Sequence, residues 1–429
     1  MPFIEFNTDY RTKAIVIYPE IFAAKCSLPP QARLEEAVGL ALAINLDVIH
    51  SEIVKVRTVK PATLIGQGVL DYFAEIIEKK EIELVIFDTG LTPIQQRNLE
   101  QKLKIKVIDR TALILEIFGE RAQTKEGKLQ VELAHLTYQR SRLVRSWTHL
   151  ERQRGGAGFL GGPGEKQIEL DRRIIDDKIL RIKQDLEKVK RTRTIQRSAR
   201  KRVPYPVVAF VGYTNAGKST LFNTLSGSNV FAKDLLFATL DPSMRKIKLP
   251  RSGREIILSD TVGFISDLPH ELIMAFRATL EEVLEADLIV HIRDISSEVT
   301  IEQRRDVLAV LENLGFTDFS LSAPYLEVLN KIDLLTSAKK QELQNSPKAG
   351  TVLVSAVTGE GTEKLLQTIE DKLSAGFEVT DIILKASDGK TIAWIYANAE
   401  ILHQEAMRDI IKFKIKISAE NAAKLKLKK

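Results

Sequence analysis

A glycine-rich segment carries the residue types that bind phosphate groups. The stretch PVVAFVGYTNAGKSTLFNTL reads as an apolar strand, a loop and a helix, and its loop places Gly212, Gly217, Lys218 and Ser219 in the spacing G-x-x-x-x-G-K-S. The glycines let backbone N–H groups wrap phosphates at a helix N-terminus, where the helix dipole favours an anion. Lys218 would bridge the terminal phosphates, and the Ser219 hydroxyl would bind Mg²⁺. This segment predicts a nucleoside triphosphate site.

Two later segments carry residues that recognise guanine. VLNKID places Asn330, Lys331 and Asp333 at the end of an apolar strand. A carboxylate accepts hydrogen bonds from both the ring N–H and the amino group of guanine, whereas adenine presents a different edge. The Lys331 stem can lie over the base, and the Ser355-Ala356 backbone after the next strand can donate to the guanine oxygen. These segments favour GTP over ATP.

Between these segments lie two stretches typical of the switches that sense a γ-phosphate. FATLD contains Thr239, which stands 21 residues after Lys218 and is expected to bind Mg²⁺ and the γ-phosphate. DTVGF (residues 260–264) follows the strand EIILS; Asp260 would hold the metal through water, and Gly263 would donate its N–H to the γ-phosphate. The order of the five segments predicts a P-loop GTPase domain with a doubly wound α/β sheet and nucleotide at the carboxyl ends of its strands.

The predicted site divides into three sets of residues. The predicted Mg²⁺ ligands are Ser219 and Thr239, with Asp260 acting through water, and catalysis is assigned to Lys218, Thr239 and Gly263. The predicted nucleotide-binding residues are Gly212, Tyr213, Thr214, Asn215, Ala216, Gly217, Lys218, Ser219, Thr220, Phe237, Ala238, Thr239, Leu240, Asp241, Asp260, Thr261, Val262, Gly263, Asn330, Lys331, Ile332, Asp333, Ser355, Ala356 and Val357.

Phe264 stands where small GTPases of the Ras type carry a glutamine that orients the attacking water. A phenyl ring neither donates nor accepts a proton, so a backbone atom, a switch side chain or a partner must place the water. Asn215 suggests K⁺, because some GTPases with a hydrophobic residue at this position use such an asparagine to bind K⁺ in place of an arginine finger. The alternative is that Asn215 only stabilises its loop.

Charge is distributed unevenly along the 429 residues, a length that predicts two to four domains. Residues 116–202 hold 22 Lys and Arg against 12 Asp and Glu, and the last residues are also basic, whereas the net charge is only +6. Basic regions on an otherwise acidic chain favour a polyanion partner such as RNA over two solvated faces. Cys26 is the only cysteine, and neither a signal peptide nor a transmembrane run is apparent, so a cytoplasmic protein is expected.

Four units are expected along the chain. Residues 1–115 alternate apolar strands (AIVIY, LVIFD, KVIDR) with helices and predict a small α/β domain with a mainly parallel sheet. Residues 116–203 predict a basic helical hairpin with a glycine-rich tip at 155–164. Residues 204–375 form the expected GTPase domain, and residues 376–429 a small α/β domain whose helix is expected over Thr391–Met407.

Heptad spacing is the basis for the hairpin. The apolar positions are Leu129, Leu133, Leu136, Leu143, Trp147 and Leu150 in the first arm and Ile168, Ile175, Ile179, Ile182, Leu186 and Val189 in the second, with Arg140 and Arg172 in the skipped positions. The tip formally matches G-x-G-x-x-G, but a helix precedes it, so a dinucleotide site is rejected. A loop that contacts a partner and a plain turn are the two alternatives.

The combination of segments resembles HflX, a family of bacterial GTPases that bind the large ribosomal subunit. The residues that carry the resemblance are KLQVELAHLTYQRSRL (128–143), GPGEKQIELDRR (162–173), GYTNAGKSTLFN (212–223), FATLDPS (237–243) and DTVGFISDLPHELIMAFRATLEEVLEADLIVHIRD (260–294). The resemblance implies the four-unit fold above, and hydrolysis of GTP despite a hydrophobic residue at Phe264. The tip reads GGAGFLGGPGEKQ instead of a family pattern close to GGIGTRGPGETQ, which changes its expected contact with ribosomal RNA.

The sequence is compatible with three functions. The first is a monomeric GTPase with slow basal turnover that acts on the large ribosomal subunit through the hairpin and tip, to split or rescue stalled or idle ribosomes or to assist ribosome biogenesis. The second is an RNA-binding remodeller or chaperone in which nucleotide is mainly structural. The third is a regulatory GTPase that binds a membrane through its basic tail, although the tail lacks a lipidation motif.

Overall fold

The first sheet of the protein is built from four parallel strands. The structure, a computed structural model, describes residues 11–22, 27–153, 163–200, 205–228, 236–237, 243–267, 283–316, 319, 324–345, 350–374, 377–407, 409–418, 422 and 425. Strands β1 (Lys13–Ile21), β2 (Asp47–Val56), β3 (Leu84–Phe87) and β4 (Lys106–Asp109) lie in the order β2-β1-β3-β4 with parallel pairings. The apolar runs predicted β1, β3 and β4. They did not predict β2, because this edge strand is largely half-exposed and lacks a continuous apolar run.

Four helices cover the two faces of this sheet. They are α1 (Pro30–Ala43), α2 (Gln67–Lys80), α3 (Pro93–Leu103) and α4 (Arg110–Arg121). Helices α1 and α4 share one apolar core with the sheet, and α2 and α3 share the other. Side-chain caps begin α3 and α4. Thr92 forms a capping box with Gln95, and the Asp109 carboxylate accepts from Ala112 N–H at 2.9 Å.

The two following helices pair as the heptad pattern predicts. Helix α5 (Lys125–Gln153) and helix α6 (Pro163–Arg200) bury Leu136, Ile179 and Ile182 between them. Leu129, Leu133, Ile175 and Leu186 pack around that contact. In the skipped positions, Arg140 and Arg172 both meet Asp176, at 3.1 and 3.9 Å. The side chains of Trp147, Leu150 and Ile168, and residues 154–162 of the tip, lie outside the described part of the chain.

The second sheet has six strands and is the predicted doubly wound sheet. Strands β5 (Val207–Val211), β6 (Ser243–Lys248), β7 (Glu255–Asp260), β8 (Leu288–Asp294), β9 (Tyr325–Asn330) and β10 (Thr351–Leu353) lie in the order β10-β9-β8-β5-β7-β6. Only β6 is antiparallel to its neighbour among the described pairings. The helices are α7 (Lys218–Ser226), α8 (Thr300–Asn313), α9 (Ser337–Asn345) and α10 (Thr362–Ser374), with a 3₁₀ turn at Ile332–Leu334. The fold class is therefore confirmed.

The last unit is a three-stranded antiparallel sheet with one helix. Strands β11 (Phe377–Lys385), β12 (Glu400–Met407) and β13 (Ile410–Ser418) lie in the order β11-β13-β12, and helix α11 spans Gly389–Asn398. The predicted helix over Thr391–Met407 was wrong in its second half. Residues 400–407 form β12, because pairing with the apolar-alternating strand β13 satisfies their backbone groups. No helix in the described parts of the chain is long and apolar enough to cross a membrane.

A buried carboxylate at the end of β4 fastens the hairpin to the first sheet. Asp109 accepts hydrogen bonds from Leu91 N–H at 3.2 Å, the Tyr138 hydroxyl at 2.8 Å and the Arg142 guanidinium at 2.5 Å. The Arg142 guanidinium lies 4.4 Å from the centroid of the Tyr138 ring. Burial, with the nearby Asp109 charge, raises the pKa of Tyr138, so its hydroxyl stays protonated and keeps donating. One side chain thus joins α4, the loop before α3, and α5.

We expect Asp109→Ala to lower the free energy of unfolding by about 3 kcal/mol, because it leaves the mostly buried Arg142 charge without its carboxylate. Chemical denaturation followed by circular dichroism measures this change. Asp47→Ala is the matched control, since Asp47 is exposed at the start of β2, and its effect should stay within about 0.5 kcal/mol. Equal midpoints for the two variants would contradict the role of Asp109 as an anchor.

Candidate functional site

The phosphate-binding loop connects β5 to α7, and close packing explains its two glycines. A Cβ at Gly212 would lie 2.2 Å from the carbonyl oxygen of Ile292 on the neighbouring strand β8. Gly217 has φ +87°, and a Cβ there would lie 2.2 Å from Nδ2 of Asn330. Neither position admits a larger residue without moving the backbone of a neighbouring strand or the guanine-recognition segment. The glycine spacing seen in the sequence is thus a packing requirement.

Lys218 and Ser219 begin helix α7 beside the metal-binding candidate Asp260. The Lys218 ammonium is buried and donates to the carbonyl oxygen of Tyr213 at 2.7 Å. Burial lowers the pKa of Lys218 to about 8, against the opposing effect of the Asp260 charge. The Ser219 hydroxyl donates to the Asp260 carboxylate at 2.7 Å. A hydroxyl and a carboxylate this close, next to a lysine, form an oxygen donor set that suits Mg²⁺ beside phosphates.

Asn330 connects the guanine-recognition segments to the phosphate-binding loop. Its Nδ2 donates to the carbonyl oxygen of Ala216 at 2.9 Å, and its Oδ1 accepts from Ala356 N–H at 3.0 Å. Lys331 follows in a left-handed conformation, with its ammonium 2.8 Å from the Asp294 carboxylate. The predicted base-binding residues Asp333 and Val357 are exposed. The structure thus brings three sequence-distant predicted segments into one site.

Only the start of the first predicted switch, FATLD, lies in the part of the chain that the structure describes. Leu236 and Phe237 are described, whereas Ala238, Thr239, Leu240 and Asp241 lie outside the described residues. The Phe237 ring is buried and packs edge-on against Phe118 of α4, with ring centroids 4.7 Å apart. Phe237 was predicted to bind nucleotide, and the structure assigns its side chain a packing role between the two sheets. No local sequence pattern indicates this contact.

The DTVGF segment is bonded directly to the phosphate-binding loop. Phe264 N–H donates to the Gly212 carbonyl oxygen at 3.1 Å, and Thr214 N–H donates to the Phe264 carbonyl oxygen at 2.7 Å. The Phe264 ring is 2% exposed and lies in an apolar cluster with Tyr213 and Val307. A Cβ at Gly263 would lie 3.0 Å from the Lys218 ammonium, which places this glycine beside the phosphate-binding lysine. The backbone of the segment, and not the buried ring, therefore borders the phosphate site.

Asn215 lies at the mouth of a cleft between the two sheets. It is exposed, has φ +59°, and lines a cavity of about 340 Å³ together with Thr214, Glu35 of α1 and Asp294. The K⁺-binding role and the loop-stabilising role of Asn215 are both proposals.

Buried polar residues that the sequence did not single out surround this site. The Tyr213 hydroxyl donates to the Glu36 carboxylate of α1, and Arg110 of α4 donates to the carbonyl oxygen of Ser266 at 2.8 Å. The sequence does not predict these contacts, because the residues are far apart in the chain and no local pattern links them. His291 of β8 is also buried; its ring is bonded to the Tyr325 hydroxyl at 2.7 Å, and burial lowers its pKa to about 3.

Known protein families match this chain over most of its length. Four family descriptions match: "GTP-binding GTPase N-terminal" at residues 31–119, "GTP-binding GTPase Middle Region" at 121–200, "50S ribosome-binding GTPase" at 207–331 and "HflX C-terminal domain" at 340–428. A protein named GTPase HflX from Magnetococcus marinus is 50% identical over 372 residues, 87% of this chain and 85% of that protein.

Two further proteins are similar to this chain. The GTPase HflX of Escherichia coli strain K12 is 44% identical over 337 residues, 78% of each chain. A solved structure of a GTP-binding protein from Sulfolobus solfataricus, in complex with GDP, is 25% identical, covers 85% of this chain and 99% of its own, and has a TM-score of 0.45.

We expect Asn330→Ala to weaken binding of GDP about thirtyfold, because two buried hydrogen bonds that connect the site are lost at roughly 1 kcal/mol each. Titration of a fluorescent GDP analogue measures the affinity. Asn345→Ala removes an exposed asparagine at the end of α9 and serves as the control, with unchanged affinity. An affinity within twofold of the unmodified protein would show that the Asn330 bonds do not support nucleotide binding.

Proposed function

Since this chain belongs to the HflX family of GTPases, we propose that it binds the large ribosomal subunit in its GTP-bound state and acts there in the cytoplasm to separate stalled or idle ribosomes. Binding and hydrolysis of GTP are the activity of the family. The ribosomal partner is supported by the family description matched at residues 207–331, which names 50S ribosome binding. A role in ribosome biogenesis would use the same contacts with the large subunit.

The basic hairpin supports an RNA partner. Helix α6 has 38 residues, which corresponds to about 57 Å of helix, and its exposed side chains include Arg172, Arg173, Lys178, Arg181 and Lys183. Such a surface neutralises phosphates and binds RNA through charge and shape. The hairpin alone would equally suit an RNA remodeller with a structural nucleotide. The intact arrangement of Lys218, Ser219, Asp260 and Asn330 favours a protein that turns GTP over.

The hydrolysis step would divide between this chain and its partner. When bound, Mg²⁺ supplies positive charge that neutralises the phosphates, and Ser219 and Asp260 would hold it, with Thr239 as a third predicted ligand. Lys218 would bind the terminal phosphates, and Gly263 N–H would donate to the γ-phosphate. Phe264 is buried, so its ring does not place the attacking water. Backbone groups of the DTVGF segment, K⁺ bound at Asn215, or the ribosomal subunit would supply the missing orientation.

We expect purified large ribosomal subunits to raise the GTPase rate at least tenfold above a slow basal rate, and small subunits to leave it unchanged. Co-sedimentation should recover the protein with large subunits in the presence of a non-hydrolysable GTP analogue and not with GDP. Binding that ignores the nucleotide would favour the RNA remodeller. Binding to anionic vesicles alone would favour a membrane-associated GTPase, and either result would contradict the ribosomal proposal.

We expect GTP hydrolysis to be about tenfold faster in KCl than in NaCl at equal ionic strength, because K⁺ bound at Asn215 would add positive charge beside the γ-phosphate. Asn215→Ala should remove the difference between the salts. Its affinity for GDP provides the control and should change less than twofold. Equal rates of the unmodified protein in the two salts would leave Asn215 with only its loop-stabilising role.

A further inference from the structure

Four buried charged residues at the carboxyl edge of the first sheet form a continuous network. They are Arg33 and Glu36 of α1, Asp88 after β3, and Arg110 at the start of α4, and their side chains are at most 6% exposed. Asp88 accepts from Arg33 at 2.7 Å and from Arg110 at 2.5 Å, and Arg110 also reaches Glu36 at 2.5 Å. Such a network is rigid, since removing any member leaves another charge buried without its partner.

This network continues into the segment that follows DTVGF. The Arg110 guanidinium donates to the carbonyl oxygen of Ser266 at 2.8 Å, and Arg33 lies 3.1 Å from the Asp267 carboxylate. Burial disfavours the charge on Arg110, but Asp88 and Glu36 outweigh that effect and raise its pKa. The guanidinium therefore stays charged and remains a donor to Ser266. The first sheet thereby holds the backbone only two residues beyond Phe264.

Tyr213, in the phosphate-binding loop, completes the connection between the first sheet and the predicted nucleotide site. Its hydroxyl donates to the Glu36 carboxylate and accepts from Ser266 N–H at 2.8 Å, and it lies 2.7 Å from the Ser266 hydroxyl. Burial, with the Glu36 charge, raises the pKa of Tyr213, so the phenol keeps its proton. The backbone carbonyl of the same residue accepts from the Lys218 ammonium at 2.7 Å. A single residue therefore contacts the phosphate-binding lysine, the backbone after DTVGF and helix α1.

We propose that Tyr213 is a positioning residue for GTP hydrolysis, whose hydroxyl, held by Glu36 of α1, fixes Ser266 N–H and with it the DTVGF segment beside Lys218. In a site whose water cannot be oriented by a glutamine, the placement of backbone groups carries more of the catalytic work. Gly263 lies three residues before Ser266 and beside Lys218, so freedom at Ser266 would be transmitted to the N–H that is predicted to face the γ-phosphate. Helix α1 thereby completes a catalytic site formed on the other sheet.

A purely structural hydroxyl and a positioning hydroxyl predict different kinetics. Loss of a structural hydroxyl lowers stability and leaves the turnover of the folded protein unchanged. Loss of a positioning hydroxyl lowers kcat. The affinity for GDP stays the same, because GDP has no γ-phosphate for the DTVGF segment to contact. Basal hydrolysis without ribosomal subunits is the relevant readout, so the proposal stands or falls independently of the ribosomal partner.

The first test is Tyr213→Phe, which keeps the buried ring and removes only the hydroxyl. We expect kcat at saturating GTP to fall about fivefold, the effect of one lost hydrogen bond, with the Kd for GDP within twofold. Tyr325→Phe is the matched control, because it removes a buried hydroxyl from the same apolar cluster, bonded to His291 and not to α1. Its kcat should stay within twofold. An unchanged kcat for folded Tyr213→Phe would overturn the proposal.

The second test uses Glu36→Gln, which alters the partner on α1 and leaves the phosphate-binding loop intact. We expect kcat to fall about threefold, again with unchanged affinity for GDP. In a double-mutant cycle the combined variant should be no slower than Tyr213→Phe alone, since both changes break the same connection. Effects that multiply would mean that Glu36 and Tyr213 act separately and would refute the coupling. If Tyr213→Phe does not fold, an unchanged kcat for Glu36→Gln overturns the proposal on its own.

Discussion

Two backbone hydrogen bonds between Phe264 and the phosphate-binding loop set the geometry of the nucleotide site. They hold the DTVGF segment against residues 212–214. The Phe264 ring, buried in an apolar cluster with Tyr213, holds the segment in place as well. Full burial of such a ring contributes about 1.5–3 kcal/mol. A glutamine side chain in the same apolar cluster would leave its amide without partners, which is costly. The hydrophobic residue is therefore part of how the loop and the segment are held together, and the water must be oriented from elsewhere.

Features that depend on residues close together in the sequence could be predicted from local patterns. The glycine spacing, Asn330 and the heptad positions each reflect short-range geometry, and the structure places Lys218, Ser219, Asp260 and Asn330 together as their order implied. Contacts across the chain could not be predicted in this way. Tyr213 and Glu36 stand 177 residues apart, and Phe118 meets Phe237 only because two sheets pack together. The edge strand β2 and the strand β12 were missed because pairing with a neighbour, and not their own apolar pattern, makes them strands.

The carboxyl edge of the first sheet has an unusual use. In open α/β sheets this edge is where ligands commonly bind. Here protein side chains bind at this edge: Arg142 of α5 binds Asp109, while Arg110 and Tyr213 connect α4 and α1 to the segment after DTVGF. Because buried charges must be paired, these contacts are specific in register and orientation. The first sheet therefore serves as a frame that joins the hairpin to the nucleotide site.

The attachment of α5 at Asp109 makes that frame a mechanical lever. Helix α5 has 29 residues, and 11 of them, about 17 Å of helix, follow Arg142, the last side chain that binds Asp109. A rotation of about 5° at Arg142 would move the end of α5 by about 1.4 Å, by simple geometry on that length. A tilt of the first sheet beside Ser266 would therefore be carried outward along α5 and would grow with distance from Asp109. The length of α5 beyond its attachment then sets how large a movement reaches its end.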